Sequence, residues 1–256
     1  MQVHKTFRDF SNFLRLFNDV RVQELSPTEI TRALKLSQSK VSRMLASLQS
    51  EGFLEKNPET GKYRLGVVLF ELGILYAFHL PLRRIIRPHL EQMAKELNFT
   101  ASWGILRGNK IIVVDRIQNL NIDLISTRIG LEIPVHTSSI GKVLLAFLDE
   151  EEQKKVLKSV DLVKYTESSI TDAKLIKENL KLIREKGFAT DRGETHESLN
   201  CIAAPIIDGD GKVLAAINLM DETTRTSPEK LFEFAESLKE KALFISRQLG
   251  FRNLLV

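Results

Sequence analysis

Apolar positions recur at helical spacing in three successive stretches of the first fifty residues. A phenylalanine-rich stripe over residues 5–17 predicts the first helix. The capping-box sequence Ser26-Pro27-Thr28-Glu29 begins a second helix, which we expect to end near residues 35–36. A third helix follows Ser37, with a buried stripe formed by Val41, Met44, Leu45 and Leu48. Two short helices joined by a tight turn predict a helix-turn-helix.

The other side of the third helix carries small polar and basic residues, and no acidic residue occurs before Glu51. The second helix of a helix-turn-helix lies in the major groove of DNA and contacts base edges from its first turns. Glutamine and arginine make bidentate contacts with adenine and guanine. We therefore expect DNA contacts from this helix and from the start of the preceding one: base contacts by Gln38, Ser39, Ser42 and Arg43, a phosphate contact by Lys40, and a contact by Thr28.

A β-hairpin is predicted directly after this helix. Gly52 is expected to end the helix, and two short β-like runs flank the turn at residues 57–61. A hairpin in this position is the wing of a winged helix. Lys62 and Arg64 are expected to contact phosphates beside the groove.

Residues 66–78 (GVVLFELGILYAF) are apolar nearly all round. A helix of that kind has to be buried. Two small domains offer little surface to cover it, so we expect a second copy of the chain to do so in a homodimer. A two-fold dimer predicts a pseudo-palindromic operator. The alternative is that this helix packs only on its own C-terminal domain.

Beyond residue 80, helical and β-like stretches alternate. Helices are predicted over residues 83–97, 139–147, 173–186 and 228–249. Strands are predicted over residues 100–106, 110–117, 122–129, 201–207 and 212–219, with the hairpin turn DGDG between the last two. This mixture indicates an α+β domain, an antiparallel sheet with helices on its faces.

Composition and charge narrow the class of protein. A length of 256 residues fits one large domain or two ordinary ones. No secretory signal and no membrane-spanning run are apparent, so we expect a cytoplasmic protein without a membrane partner. Residues 1–65 hold eleven Lys or Arg and seven Asp or Glu, a balance of +4 that equals the net charge of the whole chain. The basic charge is therefore concentrated at the N-terminus, which favours binding to a polyanion.

Candidate chemistry in the C-terminal part is sparse. Ser138 and Ser139 open a predicted helix whose N-terminal N–H groups would attract an anion, although from this segment alone simple N-capping by Ser138, which needs no ligand, is favoured. Cys201, the single cysteine, lies near His196 and raises an alternative function, a cysteine-dependent enzyme fused to a winged-helix interaction module. However, Cys201 begins the apolar run CIAAPII, which is typical of a buried strand and a core cysteine. No metal-ligand spacing or phosphate-binding loop occurs, so we expect no metal, no cofactor and no enzymatic activity.

Three stretches resemble the IclR family of transcription regulators. TEITRALKLSQSKVSRMLASLQSEGFLEKNPETGKYRLGVVLFELG resembles the family's DNA-binding half, and GLEIPVHTSSIGKVLLAF and EKGFATDRGETHESLNCIAAPIIDGDGKVLAAINL resemble two signature stretches of its effector domain. The resemblance covers residues 5–250. It implies a dimerising linker helix, dimers that often pair into tetramers, and a GAF-like effector domain. The chain departs from the family at Lys35, where glycine is common and a positive φ is expected, and at Lys40, where threonine is common.

The resemblance also implies where an effector binds. Family members that bind small metabolite acids use N–H groups at the helix start matched here by Ser139, with an aspartate and a cysteine ten residues apart. The implied ligand-binding residues are Ile122, Ile125, Ser139, Ile140, Asp191, Cys201, Asn218 and Met220. We therefore expect a DNA-binding domain at 1–65, a linker helix at 66–80 and an effector domain at 81–256. The expected function is a transcription regulator whose affinity for double-stranded DNA is modulated by a small organic acid.

Overall fold

The computed structural model describes residues 4–19, 21–118 and 128–252, and the chain divides between Leu80 and Pro81 into two units. In the first unit, a three-residue 3₁₀ turn continues the first helix, and a hairpin follows the third. Its elements are α1 (Lys5–Leu14), the 3₁₀ turn (Arg15–Phe17), α2 (Pro27–Leu34), α3 (Gln38–Ser50), β1 (Leu54–Lys56), β2 (Tyr63–Leu65) and α4 (Val67–His79).

Local signals place α2 as predicted. The Ser26 hydroxyl accepts the Glu29 N–H, and the Glu29 carboxylate accepts the Ser26 N–H, so the capping box is confirmed. The helix ends at Lys35 in the left-handed conformation, with φ of 51°. The stripes of the three helices then meet with the hairpin in one core, formed by Phe13, Ile30, Val41, Leu45, Leu54 and Tyr63. This packing, rather than helix propensity, holds such short helices in place.

Helix α4 is N-capped by Gly66 and carries large apolar side chains that the single chain leaves in solvent. Phe70 is 68% exposed and Phe78 67%, and Tyr76, Leu75 and Ile74 are exposed as well. The helix has no buried residue. The burial that its sequence demands is therefore not supplied by its own unit.

The second unit contains the remaining helices and strands. They are α5 (Pro81–Leu97), β3 (Thr100–Arg107), β4 (Lys110–Ile117), β5 (Glu132–Pro134), α6 (Ser139–Phe147), α7 (Glu150–Ser159), α8 (Ala173–Lys186), β6 (Ala189–Arg192), β7 (Leu199–Ile207), β8 (Val213–Glu222), α9 (Pro228–Phe232) and α10 (Ala235–Gln248). Within the described residues, six strands form an antiparallel sheet in the order β5-β4-β3-β8-β7-β6.

The two faces of this sheet are covered differently. Helices α5, α9 and α10 pack on one face around Trp103 and Ile217, and α6 and α8 pack on the other around Ala203 and Ala216. Alternate residues of each strand point to opposite faces, which explains why both faces can be buried. The α+β architecture with a central antiparallel sheet is confirmed.

Several predicted elements need correction. The closing helix predicted at 228–249 is two helices, because the chain leaves the helical path at Phe234, whose ring lies edge-on against Phe99 at 5.2 Å. The strand predicted at 122–129 falls largely outside the described residues, and residues 129–130 form a turn. Helix α7 and the short strands β5 and β6 were not predicted.

Candidate DNA interface and effector cavity

Helix α3 begins after Ser37, whose side chain makes no capping hydrogen bond, and its C-terminal end is capped by the residues that follow. At its C-terminus, Gly52 adopts φ of 73°, its N–H bonds the Gln49 carbonyl, and the Phe53 N–H bonds the Leu48 carbonyl. These two bonds form a Schellman cap, which confirms the predicted end of the helix. Buried Val41 and Leu45 hold the inner side against the core.

The outer side of α3 presents most of the predicted DNA contacts to solvent. Gln38, Ser39, Ser42 and Arg43 are exposed, as is Thr28 at the start of α2. Lys40 differs, because its ammonium is paired with the carboxylate of Asp9 on α1 and its side chain is about one-third exposed. The positive charge of Lys40 is therefore partly neutralised within the unit. Ser39 Oγ shares a hydrogen bond with Ser37 Oγ at 3.5 Å. The exposed polar and basic side chains of α3 suit base and phosphate contacts.

The turn of the hairpin is held by Glu24, an acidic residue in the loop before α2. Glu24 accepts hydrogen bonds from Asn57 Nδ2 at 2.8 Å and Thr60 Oγ1 at 3.1 Å, and these bonds lower the pKa of its carboxyl. The wing turn is thereby fixed in orientation. Of the two predicted phosphate contacts here, Arg64 pairs with Glu55 at 2.8 Å, and Lys62 is half-buried.

In the second unit, strand register brings the predicted ligand residues together. Asp191 lies opposite Cys201, and Cys201 lies opposite Met220. Asn218, two residues before Met220, shares its face of β8. The start of α6 supplies Ser139 and Ile140, and these six residues line one cavity of about 80 Å³. Ile122 and Ile125 lie outside the described residues.

A buried charged cluster borders the cavity. Asp191 accepts N–H bonds from Glu194 at 2.7 Å and Thr195 at 3.3 Å. Burial raises the pKa of its carboxyl, which the nearby Lys142 ammonium opposes. Burial likewise raises the pKa of Glu194, although Lys142 is paired with it. A protonated Asp191 can donate a hydrogen bond to an anion, where an ionised one would repel it.

At the start of α6, Ser138 is the N-cap and its Oγ accepts the Gly141 N–H at 3.1 Å. The capping by Ser138 is therefore confirmed. Gly141 is required here, because a Cβ at this position would lie 2.3 Å from the Val135 carbonyl oxygen. Ser139 and Ile140 in the first turn of this helix line the cavity, and the helix dipole favours a negative charge at that end.

Comparison with known proteins assigns both units. Residues 74–247 match the family described as the bacterial transcriptional regulator IclR C-terminal domain, and residues 13–58 match the IclR helix-turn-helix domain. This chain belongs to the IclR family. It is therefore a DNA-binding transcription regulator of a family that responds to small-molecule effectors, and it is not an enzyme.

Individual relatives agree along the whole chain. The HTH-type transcriptional regulator XynR of Escherichia coli is 32% identical over 238 residues, which cover 93% of this chain and 94% of XynR. KdgR of the same organism is 31% identical, covering 95% and 94%. An IclR regulator from Alicyclobacillus acidocaldarius has a TM-score of 0.85 and 26% identity, covering 98% and 100%. An IclR homolog from Microbacterium hydrocarbonoxydans complexed with 4-hydroxybenzoate has a TM-score of 0.81 and 26% identity, covering 96% and 99%.

The environment of Cys201 explains why this IclR regulator does not use it as a nucleophile. The thiol is buried, and desolvation followed by the charge of Asp191 raises its pKa well above the ordinary value. A nucleophilic cysteine needs the opposite, a depressed pKa in an electropositive setting. In the part of the chain that the structure describes, no three His, Cys, Asp or Glu side chains are grouped to hold a metal ion. Nor does any described helix have the length and apolar character to cross a membrane.

Sequence reasoning missed part of the cavity wall of this IclR domain. The wall includes Ser138, which the sequence indicated at the start of α6, and six residues that it did not assign to the site: Ser102, Val113, Ile133, Thr195, His196 and Leu199. Thr195 and Leu199 lie between two predicted residues in sequence, so the spacing of Asp191 and Cys201 was a usable signal for them. Ser102 gave no such signal, because it comes from a strand more than eighty residues away and reaches the site only through sheet pairing.

Proposed function

We propose that this regulator binds a pseudo-palindromic operator as a homodimer and that a small carboxylate in the cavity of the effector domain modulates that binding. The observation that carries the proposal is the cavity itself. It combines the start of α6, a buried carboxyl with a raised pKa at Asp191, and otherwise largely apolar walls. Few polar groups in an apolar cavity are the usual composition of a small-molecule site.

In this arrangement the effector carboxylate lies at the N–H groups of Ser139 and Ile140, and Asp191, whose pKa is raised by burial, donates to one of its oxygens when it is protonated. The 4-hydroxybenzoate held by the Microbacterium homolog is a precedent for a carboxylate ligand in this fold. The cavity of about 80 Å³ favours a smaller acid. Because only differential affinity shifts an equilibrium, the acid has to favour one arrangement of the dimer over another.

The proposal is tested by thermal unfolding of the full chain with a panel of small carboxylates. A compound at 100 times its dissociation constant adds about 2.7 kcal/mol to the free energy of unfolding. We expect one class to raise the midpoint of the effector domain. Asp191→Ala should abolish the shift, whereas Asp191→Asn, which keeps a donor, should retain most of it. Equal shifts in both variants would place the ligand elsewhere, and no shift with any carboxylate would contradict the acid effector.

The homodimer rests on α4. Its exposed apolar residues, Phe70 and Phe78 among them, form a surface that a second copy of α4 can cover, and dimers can pair further into tetramers. We expect Phe70→Glu to shift the sedimentation of the protein toward monomer and to weaken operator binding. The matched control is Leu175→Glu, which charges an exposed leucine on α8. A dimer that survives Phe70→Glu at the same concentration contradicts this interface.

The DNA-binding role also argues for a cytoplasmic location, because the regulator has to meet the chromosome. On the DNA side, Gln38, Ser39, Ser42 and Arg43 are proposed to read base edges, with Arg43 at a guanine. Arg43→Ala should weaken operator binding by about 1–3 kcal/mol and relax one base position. A variant with unchanged affinity and specificity would remove Arg43 from the readout.

A further inference from the structure

The floor of the effector cavity carries a hydrogen-bonded pair of polar side chains. Ser102 on β3 lies directly opposite Asn218 on β8, and both side chains are buried and line the cavity. The Ser102 hydroxyl donates to Asn218 Oδ1. Two polar residues facing each other on a sheet floor that is otherwise largely alanine, cysteine and methionine need a reason beyond packing.

This hydrogen bond leaves one donor and one acceptor of the two side chains available to a ligand. The Ser102 proton and the Asn218 carbonyl oxygen satisfy each other, and among the described residues Asn218 Nδ2 has no hydrogen-bond partner. The Ser102 oxygen keeps a lone pair. The neighbouring cavity residues Leu199, Cys201 and Met220 are apolar or only weak acceptors. The floor therefore offers one strong donor, Nδ2, beside one acceptor, the Ser102 oxygen.

We propose that Ser102 fixes the Asn218 carboxamide so that the pair selects an effector with a hydroxyl group. A hydroxyl can accept from Asn218 Nδ2 and donate to the Ser102 oxygen at the same time. A keto oxygen accepts only, and a methylene group satisfies neither. This inference rests on the proposed function, because it places the hydroxyl on the same small acid whose carboxylate binds at α6.

The size of the cavity narrows the choice further. At about 80 Å³ the cavity is small, which favours short acids that carry both a carboxylate and a hydroxyl group. A three-carbon hydroxy acid is one such compound. Leaving a buried donor unsatisfied lowers affinity by about tenfold to a hundredfold, so hydroxy acids should be separated clearly from their deoxy and keto analogues.

The test is calorimetric titration of the full chain with matched three-carbon acids. The probes are the two enantiomers of lactate, 3-hydroxypropionate, pyruvate and propionate. We expect one hydroxy acid to bind at least tenfold more tightly than both pyruvate and propionate. If propionate binds as tightly as every hydroxy acid, the selection by Ser102 and Asn218 is wrong while the acid effector stands. If none of the five binds, the three-carbon hydroxy acid is wrong, whereas the acid effector itself is decided by the wider carboxylate panel described above.

The variant Ser102→Ala separates positioning from general stability. It should reduce the preference for the hydroxy acid over propionate about tenfold and leave the affinity for propionate within threefold. The matched control is Ser246→Ala, which removes a buried hydroxyl on α10 that bonds the Ala242 carbonyl. An equal loss for both acids in Ser102→Ala, as a merely structural role would give, contradicts the proposal.

Discussion

The buried ammonium of Lys142 lies close to two buried carboxyls, those of Glu194 and Asp191, beside the effector cavity. The side chain of Lys142 on α6 is 5% exposed, and that of its partner Glu194 is 9% exposed. Asp191 is 2% exposed, and the same ammonium lowers its pKa against the effect of burial. Removing this cation therefore leaves two buried carboxyls without the compensating charge.

Lys142→Met removes the charge and keeps most of the apolar stem. Breaking a buried ion pair by removing one partner costs about 3–5 kcal/mol, because the remaining charge stays buried. We expect the free energy of unfolding of the effector domain to fall by that amount. For a domain of this length each kcal/mol corresponds to about 2–4 °C, so the unfolding midpoint should fall by roughly 6–20 °C.

The loss should depend on pH, because burial raises the pKa of both carboxyls in the folded state. A carboxyl with a raised folded pKa supports folding at low pH, and this support is lost as pH rises from its unfolded pKa through its folded pKa. Without Lys142 both folded pKa values rise further, so the window of loss extends to higher pH. We expect Lys142→Met to be more destabilising at pH 8 than at pH 5.

Trp103, the single tryptophan, is buried in β3 and reports the effector domain alone, so guanidinium unfolding of the full chain can be followed by its fluorescence. The control Lys154→Met removes an exposed pair with Glu150 and should cost less than about 0.5 kcal/mol. The double variant Lys142→Met with Glu194→Gln should recover much of the loss. A loss below about 1 kcal/mol for Lys142→Met, or no recovery in the double variant, refutes the reasoning.

Three further predictions concern other parts of the chain. Ser26→Ala removes the N-cap of α2 and should lower the stability of the DNA-binding domain by about 1 kcal/mol, measured by chemical unfolding. Lys62→Met should reduce the slope of log affinity against log salt by about 1 in operator titrations. Lys40→Met should reduce this slope less, because Asp9 already neutralises the charge of Lys40. Equal reductions by the two variants would contradict a phosphate contact by Lys62 that is stronger than that of Lys40. Cys201 should not react with iodoacetamide at pH 8 until the protein is unfolded, because its thiol is buried and its pKa is raised; rapid alkylation of the folded protein would refute the burial.

Local signals in the sequence predicted the DNA-binding domain well, and the reason is physical. The capping box at Ser26 and the C-terminal cap at Gly52 each act within five residues, so a single sequence contains all the information that they need. The positive φ of Lys35 was instead expected from the family resemblance. The apolar stripes then follow from helical spacing. The ion pair of Lys40 with Asp9 spans 31 residues and had no local signal.

The cavity shows where sequence reasoning stops. Asp191 and Cys201 were paired through the family resemblance, and the register of β6 with β7 explains their ten-residue spacing, because a tight loop returns the chain to lie opposite itself. Strand β6 was missed because it has only four residues and its sequence, ATDR, contains a single apolar residue, so no alternation of apolar and polar residues marks it as a strand. Ser102 was missed because its partner Asn218 lies 116 residues away, and only the sheet order brings them together.

The position of the cavity suggests why an effector can act on this fold. Leu199, Cys201 and Met220 form a small apolar cluster separate from the two large cores on either side of the sheet. The start of α6 packs on the sheet through Ile140, and the cavity is lined both by that residue and by this small cluster. A ligand that fills this cavity adds contacts only in the arrangement where α6 and the sheet are correctly spaced. It thus has the differential affinity for one arrangement that any change in DNA binding requires.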